Sequence, residues 1–141
     1  MAITQLSLLL NNQPGQVGRA ISIIAETGAN LRALSIAEGS DFGILRIIVS
    51  DSDQVCRALE DRFLISRTRV VAARMDDRSG ALVPILTAMG EAGINIEYLY
   101  AFTASHSGQA YVVLRVNDAD LAEKALNARG IATLTDDQLN L

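Results

Sequence analysis

The sequence predicts an α+β fold of two tandem β-α-β-β-α-β units, each an antiparallel sheet with helices on one face. Three observations carry that expectation. Apolar residues alternate with period two in some stretches and recur at helical spacing in others, in a fixed order. Polar turn residues mark each change of period. The whole pattern then occurs a second time, about 65 residues further on.

Thr4 to Leu10 reads as a strand, with Leu6, Leu8 and Leu10 on one face. Asn11-Asn12-Gln13-Pro14-Gly15 turns the chain, since Pro14 fixes φ and Gly15 removes a Cβ clash. A helix follows over about Gln16 to Thr27, with Val17, Ala20, Ile21, Ile24 and Ala25 inward, and Gly28 stops it. Leu31 to Ala37 is a second strand, Glu38-Gly39-Ser40-Asp41 a turn, and Ile44 to Val49 a β-branched third strand. Asp51-Ser52-Asp53 supplies cap residues for a second helix whose inner stripe is Val55, Ala58 and Leu59. Phe63 to Ser66 is a short closing strand.

A shift of 65 residues carries Gly15 onto Gly80, Glu26 onto Glu91, Gly28 onto Gly93 and Asn30 onto Asn95. Past the middle turn the shift becomes 67, carrying Val49 onto Val116, Asp51 onto Asp118 and Leu59 onto Leu126. Glycines, caps and both hydrophobic periods stay in phase, so each copy is a split-βαβ, ferredoxin-like unit. The expected domains are residues 1–68 and 69–141, joined by Arg67-Thr68-Arg69 without a Gly/Ser/Pro-rich linker. Pro84, near the first turn of the second copy's helix, is expected to delay that helix.

Half of the residues are hydrophobic, a fifth are charged, and the formal charge is −4, so a packed core is expected and disorder is not. No basic stripe points to nucleic acid, and the apolar runs are too short to span a membrane. The chain opens without the basic segment of a signal peptide, and its one cysteine makes no internal disulfide. A cytoplasmic protein is expected.

The catalytic inventory is thin. His106, the single histidine, stands in the polar turn Ala104-Ser105-His106-Ser107-Gly108, the setting of a solvated side chain. Cys56 lies between Val55 and Ala58 on a helix, as a structural thiol would. The neighbours Asp76-Asp77 and Asp136-Asp137 point to opposite sides of an extended chain and suit turns and caps. No thiolate metal motif, Walker A sequence or GxGxxG occurs. No enzyme, no metal and no cofactor are expected.

The binding inventory is fuller. The turn at Asn11–Gly15 delivers a helix N-terminus, whose free N–H groups attract anions such as a carboxylate. Asn12 offers both an amide oxygen and an NH2 beside it. Asn30 is expected at the same sheet end, close to Asn12, so that the two meet the carboxylate and ammonium of an amino acid. The residues alone leave open whether these asparagines bind a ligand or merely satisfy turn backbone groups.

At these positions the sequence resembles the ACT domain, a small regulatory module that binds amino acids, in two tandem copies covering nearly the whole chain. The motif reads Asn12-Gln13-Pro14-Gly15 with Gly28-Ala29-Asn30-Leu31, and again Asp77-Arg78-Ser79-Gly80 with Gly93-Ile94-Asn95-Ile96. The first half is also similar to the small regulatory subunit of acetolactate synthase. In serine-binding members of the family, a turn Asn and the Asn after the glycine contact the ligand, which implies Asn12 and Asn30 here. A histidine that also contributes there is replaced by Leu10, and by Met75 in the second copy, and Asp77 stands where Asn12 does. The resemblance thus implies a ligand set of Asn11, Asn12, Gln13, Pro14, Gly15 and Asn30, with Asp77, Gly80 and Asn95 in the second copy, and unequal binding by the two. It implies an amino-acid sensor that modulates a biosynthetic enzyme, itself a partner. The alternative is a ligand-free interaction or oligomerisation module. Tyr98, Tyr100 and Phe102 alternate onto one face, away from their helices, and an uncovered aromatic row of this kind implies a homodimer.

Overall fold

In the computed structural model, which describes residues 2–11, 13–39, 41–103 and 109–139, the elements follow the repeated order. The first copy contributes β1 (Ile3–Asn11), α1 (Gln16–Glu26), β2 (Leu31–Glu38), β3 (Phe42–Val49) and α2 (Ser52–Leu59). Then come β4 (Leu64–Asp76), α3 (Val83–Glu91), β5 (Ile96–Thr103), β6 (Gln109–Val116), α4 (Ala119–Ala128) and the single turn α5 (Asp136–Leu139). The chain packs as two units, one of Thr4–Thr68 and one of Arg69–Gln138 together with Ile3.

In the first unit the strand order is β2-β3-β1-β4. Leu8 pairs with Leu45 and Leu34 with Ile47 in antiparallel ladders. Leu6, Leu8, Leu45 and Ile47 face Ala20, Ile24, Val55 and Leu59 of the two helices, and this face is the core. In the second unit β6 lies between β4 and β5, and Thr133 bridges the other side of β4 at Ala73. Val71, Ala73, Val112 and Leu114 pack there against Ile85, Met89, Ala122 and Leu126. Each unit is therefore a ferredoxin-like sheet with helices on one face. Even the ladder irregularity recurs, between Leu31 and Ala33 and again between Ile96 and Tyr98.

One junction differs from the sequence reading. The short strand over Phe63 to Ser66 and the strand opening the second copy are a single strand of 13 residues, Leu64–Asp76. No Gly or Pro interrupts this stretch, and polar Arg67-Thr68-Arg69 is as compatible with extended backbone as its apolar flanks.

The helix starts follow local chemistry. Asp51 accepts a hydrogen bond from Gln54 N at 3.1 Å, and Asp118 accepts one from Leu121 N at 3.1 Å. Helix α1 starts directly after Gly15, whereas α3 starts only at Val83, three positions after Gly80. Pro84 has no N–H to donate to Gly80 O, so the first turn of an earlier start cannot close, which accounts for the later start.

Along β5, Tyr98, Tyr100 and Phe102 are half-buried, and the Phe102 ring stacks on Tyr111 with centroids 5.3 Å apart. Leu99 pairs with core residue Leu114, which places it on the helix side. The most exposed apolar side chains of the outer strands lie on that side: Leu34 at 48%, Ile36 at 47% and Leu99 at 39%.

Candidate ligand site

The two turns are built alike. Gln13 N donates to Asn11 O at 2.8 Å, and in the second copy Arg78 N donates to Asp76 O at 3.0 Å. Gln16 N then reaches Gln13 O at 3.4 Å, as Ala81 N reaches Arg78 O at 3.3 Å. Gly15 and Gly80 close the turns at φ 86° and 80°, a conformation open to glycine without strain. The helices that follow, α1 and α3, have no side-chain cap, in contrast to α2 and α4. Asn12, the turn asparagine, and His106 lie outside the described residues.

Asn30 does not join this site within its unit. Asn11 pairs with Phe42 at the start of β3, whereas Leu31, next to Asn30, pairs with Val49 at its end. Strands β1 and β2 both run antiparallel to β3, so they run parallel to each other and begin at the same end. The length of β3 separates Asn30 from Asn11 by roughly 23 Å. Asn30 N instead donates to Ser50 Oγ at 2.9 Å, and Ser50 N donates to Asn30 O at 3.0 Å. Asn95 repeats this bracing, its N–H donating to Asn117 Oδ1 at 3.1 Å. The expectation that Asn30 lies at the sheet end where β1 enters its turn is thereby corrected.

What does reach the turn is the start of the third strand and the loop after the second helix. In the first unit Leu9, Asn11, Gln16, Phe42, Arg62, Phe63 and Leu64 line a cavity of ≈ 180 Å³. In the second unit the cavity at the same end measures ≈ 360 Å³. The repeat explains the difference, because Gln109 replaces Phe42 and Gly130 replaces Phe63. Phe63 is buried in the first core, while a Cβ built on Gly130 meets nothing within 4 Å.

The larger cavity has charged walls and an apolar floor. Arg74, Asp76, Arg78 and Gln109 supply its polar lining, and Met75, Pro84, Ile85 and Ile131 supply the rest. Arg78 Nε and Asp76 Oδ2 are 3.4 Å apart, in an exposed ion pair. Sequence reasoning named the turn but missed Gln109, Gly130 and Ile131. For Gln109 and Gly130 the signal was present in the repeat, where Phe42 and Phe63 stand in the first copy, whereas Ile131 matches Leu64 and gave none. Elsewhere, Arg67 contacts Asp53 and holds its carboxyl below the ordinary range, by hydrogen bonding first and charge second. Among the described residues no cluster of His, Cys, Asp and Glu is placed to hold a metal ion, and no helix is long and apolar enough to cross a membrane.

Two ferredoxin-like units in tandem, each with a strand, a glycine-closed turn and an uncapped helix, define an ACT domain pair. The chain belongs to that family, whose model matches residues 1–140. It is similar to the crystal structure of protein BT0572 from Bacteroides thetaiotaomicron, with a TM-score of 0.91 and 36% identity over 99% of this chain and 96% of that one. The ligand-free regulatory subunit of aspartate kinase from Thermus thermophilus shares the fold, with a TM-score of 0.67 and 18% identity over 90% of each chain. The corresponding subunit from Thermus flavus gives 0.61 and 16%, over 89% of this chain and 90% of that one. No curated protein sequence matches the chain.

Proposed function

We propose that this protein binds a small amino acid and thereby regulates a biosynthetic enzyme in the cytoplasm, acting by binding and not by catalysis. The observation that carries the reading is the ≈ 360 Å³ cavity beside the second turn, with charges of both signs over an apolar floor. A zwitterion needs both signs, and a cavity near the lower end of the usual range for ligand sites suits a molecule of amino-acid size. Asp77 and Gly80 belong to the turn beside this cavity, and Asn11, Asn12, Gln13, Pro14 and Gly15 form the corresponding turn of the first copy. Aspartate kinase regulatory subunits share the fold. A regulatory subunit acts on a catalytic chain, and the same relation is proposed here. Membership of the ACT domain pair family supports the regulatory part.

The protein is also proposed to be a homodimer. Leu34 and Ile36 stand exposed two residues apart on one face of β2, an apolar pair that a second copy would cover.

A thermal-shift screen of the twenty amino acids tests the ligand. One present at about 100 times its dissociation constant should stabilise the fold by about 2.7 kcal/mol. If none shifts the transition, and calorimetry agrees, the protein is an interaction module without a ligand.

A further inference from the structure

We propose that the second unit alone takes the ligand, in the cavity that Gly130 leaves open, and that the ligand is an α-amino acid with an aliphatic side chain. The inference rests on the amino-acid reading above and extends it to one site and one side-chain class.

The interior chooses the side chain. Ile85 is buried, Met75 and Ile131 are half-buried, and exposed Pro84 stands at the edge of the same lining. None of these side chains carries a hydrogen-bonding group. An aliphatic chain laid against them gains by burial, whereas a carboxylate or an amide laid against them finds no partner among these four.

The rim chooses the ends of the molecule. The Asp76 carboxylate accepts from an ammonium, and the Arg78 guanidinium donates to a carboxylate. The two already pair with each other at 3.4 Å, each about two-thirds exposed at 67%. Solvent screens an exposed pair of this kind, so parting it costs little. An amino acid seated between them replaces one weak ion pair by two, and Gln109, opposite Asp76 in the ladder, adds a neutral donor and acceptor.

The first unit has no acid at the matching place and less room. Asn11 stands for Asp76 and Gln13 for Arg78, so the pair of opposite charges is missing, and Arg62 is the one charged residue of the smaller cavity's lining. Phe42 and Phe63 stand for Gln109 and Gly130 and reduce the space to ≈ 180 Å³. The duplicated turn therefore keeps its shape in both units but its ligand chemistry in one.

Isothermal titration calorimetry on the full chain tests this. Leucine is compared with aspartate, with 4-methylpentanoate, which lacks the ammonium, and with isoamylamine, which lacks the carboxylate. Leucine is expected to bind at one molecule per chain, and each of the other three about tenfold more weakly or worse. Asp76→Asn and Arg78→Gln should each weaken leucine by about tenfold with an unchanged melting curve, since both side chains are exposed. Ala81→Leu, which fills the cavity from its half-buried wall, should abolish binding. Two molecules per chain, or leucine binding unaffected by Asp76→Asn and Arg78→Gln, would overturn the assignment to the second unit. Tighter binding of aspartate than of leucine would overturn the aliphatic class and leave the amino-acid reading standing. Binding of no amino acid at all would remove both.

Discussion

Phe63 and Gly130 hold the same place in the two copies of the repeat, and the space that the benzyl group fills in one is open in the other. A neighbouring exchange offsets part of the volume, since Ala20 in the first core corresponds to Ile85 in the second. Close-packed interiors register such differences as stability. Phe63→Ala should therefore destabilise the first unit by about 3–5 kcal/mol in denaturant titration. A loss below about 1 kcal/mol would show that the ring does not plug this core. Gly130→Ala should cost about 1 kcal/mol for a different reason, because its added Cβ meets no atom but its φ of 76° is unfavourable to alanine.

The caps of α2 and α4 should respond as a matched pair. Asp51→Ala and Asp118→Ala each remove one acceptor from an N-terminal N–H, and each should cost about 1 kcal/mol. Asp→Asn at either position keeps an acceptor and should recover most of the loss. Equal losses with Asn and Ala would mean that charge at the helix end matters more than the hydrogen bond.

Asp53 gives a pH signature. Its carboxyl lies below the ordinary value of 3.8 because Arg67 donates to it and adds positive charge. A carboxyl lowered in the folded state stabilises the fold above its unfolded pKa, and the contribution disappears as pH falls through the folded value. Stability from this pair is therefore flat at neutral pH and lost on acidification below about pH 4. Carboxyl-carbon NMR should show Asp53 titrating nearer 3.8 in Arg67→Ala, and an unchanged midpoint would rule out the pairing.

Light scattering at micromolar concentration should give a mass near twice 15.1 kDa. Leu34→Lys with Ile36→Lys replaces the exposed apolar pair of β2 by charges and should return the mass to that of one chain. A wild-type monomer at every concentration would exclude the dimer.

Much of this architecture was legible in the residues, because it rests on short-range chemistry. The alternation of Leu6, Leu8 and Leu10, the stripe of α1 and the positive-φ glycines are local facts, and their recurrence removed ambiguity. The position of Asn30 was not local. It depended on which end of the sheet β2 enters, and that follows only from two strands sharing β3 as an antiparallel neighbour. The cavity was less legible still. Its lining includes Met75, Gln109 and Gly130, which are distant along the chain and meet only in the folded unit. The continuous β4 was missed because polar Arg67-Thr68-Arg69 was read as the join between two strands, while its extended backbone is part of one.

Tyr98, Tyr100 and Tyr111 are the chain's three tyrosines, there is no tryptophan, and all three stand on β5 and β6. The intrinsic ultraviolet fluorescence of the protein is therefore almost wholly a signal from one half of it, the half with the larger cavity. Far-ultraviolet dichroism, by contrast, is contributed by the helices and strands of both units. Unfolding followed by the two signals together asks whether the halves melt as one or in succession, and needs no label and no substitution. The same emission, watched while a ligand is added, reports from within a few strands of Gly130, and the first unit stays dark throughout.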